Sequence, residues 1–303
     1  MLALDAGNAL FKLTTVEGDP RARERAQLLL EQMDAMGTTA MAVGARDLSL
    51  GTDFLLQGMK GRKMKLLSAN LVGAKGKPLF AASTVTSVGG VKFGLVGVSP
   101  EGGVATQAGV VGRPALPAAL AEARRLREKE KVDVVVVLAA IPYLNAITLA
   151  EQAHGAIDFI LQSSNGQNSS VPPRNDSAAL VGSGDRGRQV IRLALSVEGG
   201  GPFVDLTEAD RARQNLKIID TNLEQSRQSL AAAKDPTVRR TWEENITNFE
   251  SRRQTLLQQI EASKGGTRRT QTYSVLPLGA EVASDPDVKQ KVERIDPLGS
   301  ASH

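Results

Sequence analysis

The sequence predicts a layered α/β (α+β) fold joined to an antiparallel pair of long helices. Three observations carry that expectation. Over residues 1–200, short apolar, β-rich runs alternate with segments of helical period, the pattern of sheets covered by helices. Two β-rich runs flank Gly89-Gly90, a pair that tolerates the positive φ of a hairpin turn; the core is therefore partly antiparallel and two-sheeted rather than a Rossmann sheet. Residues 206–263 then change period altogether, to the 3-4 spacing of a coiled-coil seam.

The elements follow in order. LALD (2–5) is strand-like. RARERAQLLLEQMDAMG (21–37) sets Ala26, Leu29, Leu30, Met33 and Met36 at helical spacing, with Gly37 placed to end the helix. TAMAV (39–43) and KLLSANL (65–71) read as two further strands, and STVTSVGGVKFGLVGVS (83–99) as the hairpin. PALPAALAEARRLREKEK (114–131) is a helix, and VDVVVVLA (132–139) a strand whose unbroken Val run suits a central position covered on both faces. A helix over 145–153 leads to strand AIDFIL (156–161), then SAALVGSG (177–184) and RQVIRLALSV (188–197). In the next segment Ala209, Ala212, Leu216, Ile219, Leu223, Ser226, Leu230 and Ala233 keep the seam. Trp242, Ile246, Phe249, Arg253, Leu256, Ile260 and Ser263 repeat it after a short break, where Asp235 stands as N-cap before Pro236. So short a connection makes the helices antiparallel, each roughly 40 Å long. TRRTQTYSVLPLG (267–279) resumes β character. The expected organisation is a first domain over 1–204, the helical arm over 205–265, a return strand closing the first domain over 266–298, and a tail over 299–303.

Composition excludes several functions. The 303 residues are 41% hydrophobic and 23% charged, with a net charge of +4 and a pI near 9.4. A nucleic-acid surface wants clustered Lys/Arg interleaved with aromatics, and aromatics are only 3%. Apolar runs fall short of the ~18 residues that span a bilayer. Cysteine is absent, which removes disulfides, thiolate metal sites and cysteine nucleophiles from the chain. Histidine occurs twice, at His154 and His303, too few for a His-rich dinuclear metal site. The strand-like start shows no leader, so the expectation is either a cytoplasmic protein or a piece of a longer one, and the polar DPLGSASH end reads as leading into a further domain.

Candidate site residues lie at strand ends, where open α/β sheets bind ligands. In LDAGN (4–8), Asp5 and Asn8 can hold a hard cation; the plainer reading is a turn, since Asp, Gly and Asn are turn residues. In GARD (44–47), Arg46 can bind an anion and Asp47 can face Asp5. Arg46 stays charged, so it is no general base and repels a metal ion; the plainer reading is a solvated ion pair. The loop QSSNGQNSSVPPRND (162–176) and the Gly-Ser-Gly of VGSGDRG (181–187) are weaker hints. His154, before a Gly at a helix end, suits the helix dipole.

The phrases AMAVG, LLSAN and VGGVKFGLVGVS, in the order of segments given above, resemble the metallophosphoesterase domain of the 5′-nucleotidase family over residues 2–197. The resemblance implies a calcineurin-like two-sheet β-sandwich flanked by helices, with a dinuclear metal centre at the strand ends and phosphoester hydrolysis, mostly of exported nucleotides. It also implies where this chain departs. The family's first metal motif, Asp-x-His, has no counterpart. Its bridging aspartate falls on Asn8. Gly-Asn-His-Glu/Asp falls on Gly44, Ala45, Arg46 and Asp47; Ser-His falls on Ala139 and Ala140; Gly-His-Thr-His falls on Ser163, Ser164, Asn165 and Gly166. The family's C-terminal substrate domain is not visible. The expectation is a degenerate, catalytically inactive scaffold without metal or other cofactor, periplasmic by family resemblance. Its contact with another protein runs through 206–263, with no nucleic acid and no membrane span. Two rivals stand beside it: a phosphoester hydrolase using Asp5, Asp47 and Asp185 around one cation, and a module holding an anion on Arg46 and Asn165 without cutting it.

Overall fold

The computed structural model describes residues 1–104, 109–163, 170–171, 177–182, 184, 187–262 and 269–297. The chain divides into two compact units, Met1–Ile191 with Val275–His303, and Arg192–Ser274.

In the first unit, β1 (Ala3–Asp5), α1 (Ala22–Ala35), β2 (Thr38–Ala42), α2 (Gly51–Gly58) and β3 (Lys65–Leu67) build a parallel sheet of order β1-β2-β3. The sequence pattern placed α1 within two residues of its bounds; α2 was not anticipated. Ala26, Leu30 and Met33 of α1 and Phe54 and Leu55 of α2 share a core with Met41 and Val43, so these helices cover one face of the sheet. The expected strand 65–71 is instead two, β3 and β4 (Leu71–Val72). Between them Ser68 and Asn70 are buried and turn the chain, because their side chains bond neighbouring backbone in place of a ladder.

The larger sheet is made by β5 (Ser83–Val88), β6 (Val91–Val98), β9 (Val134–Ala139), β10 (Phe159–Gln162), β11 (Ser170–Val171) and β12 (Ala179–Gly182), in the order β11-β12-β10-β9-β6-β5. Two short strands, β7 (Gly102–Gly103) and β8 (Val111–Gly112), extend β4 into a small antiparallel sheet of order β4-β8-β7. β5 and β6 are the expected antiparallel hairpin, closed by Gly89 and Gly90 at φ 60° and 81°, while β6, β9, β10 and β12 run parallel. All six residues of β9 are buried. Val135, Val137 and Ala139 pack beneath α3 (Ala115–Arg125) and α4 (Tyr143–Glu151), and the strand's period of two turns Val134, Val136 and Leu138 to the other face. There β2 and β3 of the parallel sheet pack on β5, β6 and β9. The architecture is thus the expected two-sheet sandwich flanked by helices. Near the end of the chain, α7 (Pro286–Ile295) is capped by Asp285, whose carboxylate accepts the Asp287 and Val288 N–H groups, and docks on α1 through Lys291–Glu31 and Arg25–Asp296 ion pairs.

The second unit holds β14 (Val204–Asp205), most of β13 (Gln189–Val197) and of β15 (Arg269–Pro277), strands that form a sheet of order β13-β15-β14, and two long helices, α5 (Thr207–Ala232) and α6 (Pro236–Ala262). The helices are antiparallel, as the ion pairs Arg253–Asp220 (2.7 Å) and Arg227–Glu250 (2.9 Å) show. Asp235 caps α6 by accepting Thr237 N–H at 2.8 Å and Val238 N–H at 3.1 Å. Ala209, Ala212, Ile219, Leu223 and Ser226 of the seam are buried, whereas Ile218 and Leu257 are exposed. On β15, Gln271 and Tyr273 are buried on one face, and neither Gln271 Oε1 nor Tyr273 Oη has a hydrogen-bond partner among the described residues. Among the described residues no helix is long and apolar enough to cross a membrane.

Candidate functional site at the strand ends

Asp5 closes β1, Gly44 follows β2, Ser68 follows β3, Ser99 follows β6, Ala140 follows β9 and Ser163 follows β10. The strand pairing and packing bring these C-terminal ends together, so the sequence-predicted positions of residues 5–8, 44–47, 140 and 163 meet in one place. Ser164, Asn165, Gly166 and Asp185 lie outside the described residues.

The centre of the arrangement is Asp47, which is 0% exposed. Its Oδ2 accepts the backbone N–H of Asn8 at 2.6 Å and of Gly44 at 2.8 Å, and its Oδ1 accepts that of Leu10 at 3.0 Å. The carboxylate therefore joins the loop after β1 to the loop after β2. Burial raises its pKa from the ordinary 3.8 to about 6; the three N–H groups oppose the rise, and the charge of Asp5 adds to it. Burial also raises Asp5, against a hydrogen bond from Gly7 N–H to its Oδ1 at 2.7 Å. The two carboxyls are thus a like-charged pair in a poorly solvated place.

Asn8 sits at φ 62°, a left-handed conformation that asparagine adopts more readily than most residues. Its side chain spreads between two other segments. Oδ1 accepts the Arg46 N–H at 3.1 Å, and Nδ2 donates to Ser163 Oγ at 3.1 Å. Gly44 leaves room for it: a Cβ on Gly44 would stand 2.4 Å from Asn8 Oδ1 and 2.8 Å from its backbone N. Nearby, a Cβ on Gly7 would meet the Ala42 carbonyl oxygen at 2.7 Å and the Ala140 methyl at 3.1 Å. The Arg46 guanidinium donates to the Lys12 carbonyl at 3.3 Å. Ala45 and Ala140 bring only methyl groups.

Behind this layer runs a buried polar network that the residue types alone did not reveal. Ser68 Oγ and Ser99 Oγ are 2.8 Å apart, and Ser99 Oγ also donates to the Val43 carbonyl. Asn70 Nδ2 donates to the Ser99 and Arg113 carbonyls, and its Oδ1 accepts Ser99 N–H. The network ties the ends of β2, β3 and β6 together with its polar groups satisfied, the condition under which burying them is not costly. Gln162, which the sequence reading sets at the start of the 162–176 loop, belongs instead to β10. It is 2% exposed at the end of β10, its Nε2 donates to the Ile141 carbonyl at 2.9 Å, and its Oε1 has no hydrogen-bond partner among the described residues. The available signal for both was their position one or two residues from a strand end.

No protein-family model matches the chain. Over 136 residues it is 29% identical to the apyrase of Tabanus yao, a match covering 43% of this chain and 24% of that protein. Among solved structures it is similar to the sulfate thiohydrolase SoxB of Thermus thermophilus, with a TM-score of 0.57 and 22% identity over 66% of this chain and 36% of that one. A 5′-nucleotidase precursor of Thermus thermophilus gives 0.54 and 22%, over 63% and 41%. The calcineurin-like phosphoesterase YfkN of Bacillus subtilis gives 0.58 and 13%, over 98% and 83%. The fold is that of the calcineurin-like phosphoesterases and 5′-nucleotidases. The chain spans 24% of the curated relative it matches and 36% and 41% of the first two structures.

The dinuclear metal centre that this fold implies can be tested against the donors at the strand ends. Both Asp47 oxygens already carry backbone N–H groups, the Asn8 amide is bonded on both sides, and Arg46 brings a cation. Among the described residues no group of three or more His, Asp or Glu side chains stands together as a metal-binding set. The described residues do not fit a dinuclear centre.

Proposed function

We propose that this chain, built on the fold of the calcineurin-like phosphoesterases and 5′-nucleotidases, is a catalytically inactive module of that fold. It serves as a structural or interaction scaffold within a larger exported protein. The observation that carries the reading is the state of Asp47: a fully buried carboxylate whose oxygens are taken up by three backbone N–H groups. Metal-activated hydrolysis needs cations that lower the pKa of the attacking water and clamp the phosphate oxygens. Asp47 joins two loops instead, and Ala45, Arg46 and Ala140 supply neither ligands nor a proton-transfer group.

The contact surface in this reading is the α5–α6 hairpin. Ile218 (58% exposed) and Leu257 (39% exposed) supply apolar area on it, and its exposed ion pairs contribute little to holding it closed. The test is hydrolysis of AMP, ADP and p-nitrophenyl phosphate with added Mn²⁺ and with Mg²⁺. The reading expects no turnover above the metal-and-buffer blank. Turnover abolished by Asp5→Asn would refute it in favour of a hydrolase with a reduced carboxylate site. Retention of phosphate or nucleotide without turnover, lost in Arg46→Ala, would replace it with an anion-binding module.

A further inference from the structure

We propose that Asn8 is the residue that frees this centre from any need for a cation: its neutral amide joins the strand ends, and Asp5 and Asp47 coexist beside it because residue 8 carries no charge. The inference rests on the inactive-scaffold reading above and adds a specific cause to it.

Two segments far from it in sequence, one at 46–47 and one at 163, converge on Asn8. Its backbone N–H meets Asp47 Oδ2 at 2.6 Å, its Oδ1 accepts the Arg46 N–H at 3.1 Å, and its Nδ2 donates to Ser163 Oγ at 3.1 Å. Short side chains that offer both a donor and an acceptor in one plane are few, and the primary amide is the one that fits. Gly44 is the complement on the facing loop, since any side chain there would overlap Asn8. The amide thus spans the gap between the β1, β2 and β10 ends with hydrogen bonds alone.

The charge argument follows from what a carboxylate would change. In Asn8→Asp the Arg46 N–H still has an acceptor, and the Ser163 hydroxyl, which both donates and accepts, turns to donate to the second oxygen. Shape and the Arg46 hydrogen bond survive. What is added is one negative charge beside two buried carboxyls, Asp5 and Asp47, each already raised by burial, with the charge of Asp5 adding to the rise at Asp47. Like charges in a poorly solvated site disfavour one another strongly. The Arg46 guanidinium, on the loop after β2, is turned to the Lys12 carbonyl. A third carboxylate therefore needs a cation, and the amide does not.

The experiment is thermal unfolding of the full chain by circular dichroism, in EDTA and in excess MnCl₂. Wild type is expected to melt at the same temperature in both. Asn8→Asp is expected to melt at least roughly 4 °C lower in EDTA and to recover in MnCl₂. Asn8→Gly keeps the backbone conformation but loses both side-chain bonds, and is expected to fall by a similar amount that MnCl₂ does not restore. The double variant Asn8→Asp/Asp5→Asn returns the charge count to two and is expected to recover in EDTA, a coupling that independent effects would not give. If Asn8→Asp alone does not fold in EDTA, the double variant still must. Asn8→Asp as stable as wild type in EDTA, or lowered but blind to MnCl₂, or a double variant no better than the single one, overturns the proposal. In each of those cases a wild type without turnover leaves the inactive-scaffold reading standing. Wild type stabilised by MnCl₂ and turning over substrate overturns that reading itself.

Discussion

Replacing Asp47 with Asn tests how the strand ends are held, and its effect is set by two opposing terms. The carboxylate accepts N–H groups from Asn8, Gly44 and Leu10 at 2.6–3.0 Å. An amide keeps one acceptor oxygen and turns an NH₂ toward the remaining donors, leaving at least one buried N–H unpaired at a cost of about 1–3 kcal/mol. Against that, ionised Asp47 pays for its own burial. Its pKa in the fold is about 6 rather than 3.8, and each tenfold change in proton affinity is about 1.4 kcal/mol, so the penalty is about 3 kcal/mol once the group is fully ionised. The sign follows from linkage. Below pH 3.8 Asp47 is protonated folded or unfolded and the penalty is absent. Between there and pH 6 the folded state binds more protons, and stability is lost as the pH rises through 6. Urea unfolding of wild type and Asp47→Asn at pH 4 and pH 7 isolates this group by difference. The difference is the proper readout because Glu31, Asp34, Glu122 and Asp296, whose pKa values are lowered by hydrogen bonds and cationic partners, push absolute stability the other way. Wild type is expected to lose about 2 kcal/mol relative to the variant between the two pH values, the remainder having been lost already at pH 4. A flat difference, or wild type gaining with pH, would mean that the three N–H bonds outweigh burial, and would refute the reasoning.

Gly44→Ala drives a methyl to 2.4 Å from Asn8 Oδ1 and 2.8 Å from its backbone N, and is expected to cost about 2 kcal/mol in chemical denaturation. Tyr273→Phe removes a buried hydroxyl that has no hydrogen-bond partner among the described residues, and is expected to raise stability by about 1 kcal/mol. A loss of similar size in the same assay would show that the hydroxyl is bonded in solution. Asp235→Ala removes the cap that holds Thr237 and Val238 N–H and is expected to cost about 1 kcal/mol. The effect should appear as faster amide exchange in the first turn of α6, with β9 unchanged.

The layers were legible because their signals are local. The Val run of 134–137 announces a strand covered on both faces, Gly89-Gly90 announces the hairpin, and the seam of 209–233 announces α5. Short elements held by their neighbours were not legible. The 65–71 segment splits at Ser68 because Ser68 and Asn70 find partners in Ser99 and Arg113, which lie about thirty and forty residues away in sequence. Asp5, Asn8 and Asp47 could be picked out by type and place at strand ends. That Asp47 accepts three N–H groups, and that Asn8 reaches Ser163, depends on how two sheets stack, which no local pattern records. Gln162 reads in sequence as the start of the 162–176 loop, and only the packing makes it the buried end of β10.

The measurement that bears most directly on the inactive-scaffold reading is titration of Mn²⁺ into the purified chain by isothermal calorimetry, alongside elemental analysis of the protein as isolated. The account predicts substoichiometric metal on isolation and no saturable binding heat. Saturable binding of one or two ions per chain, weakened by Asp5→Asn and matched by phosphoester turnover, would contradict it.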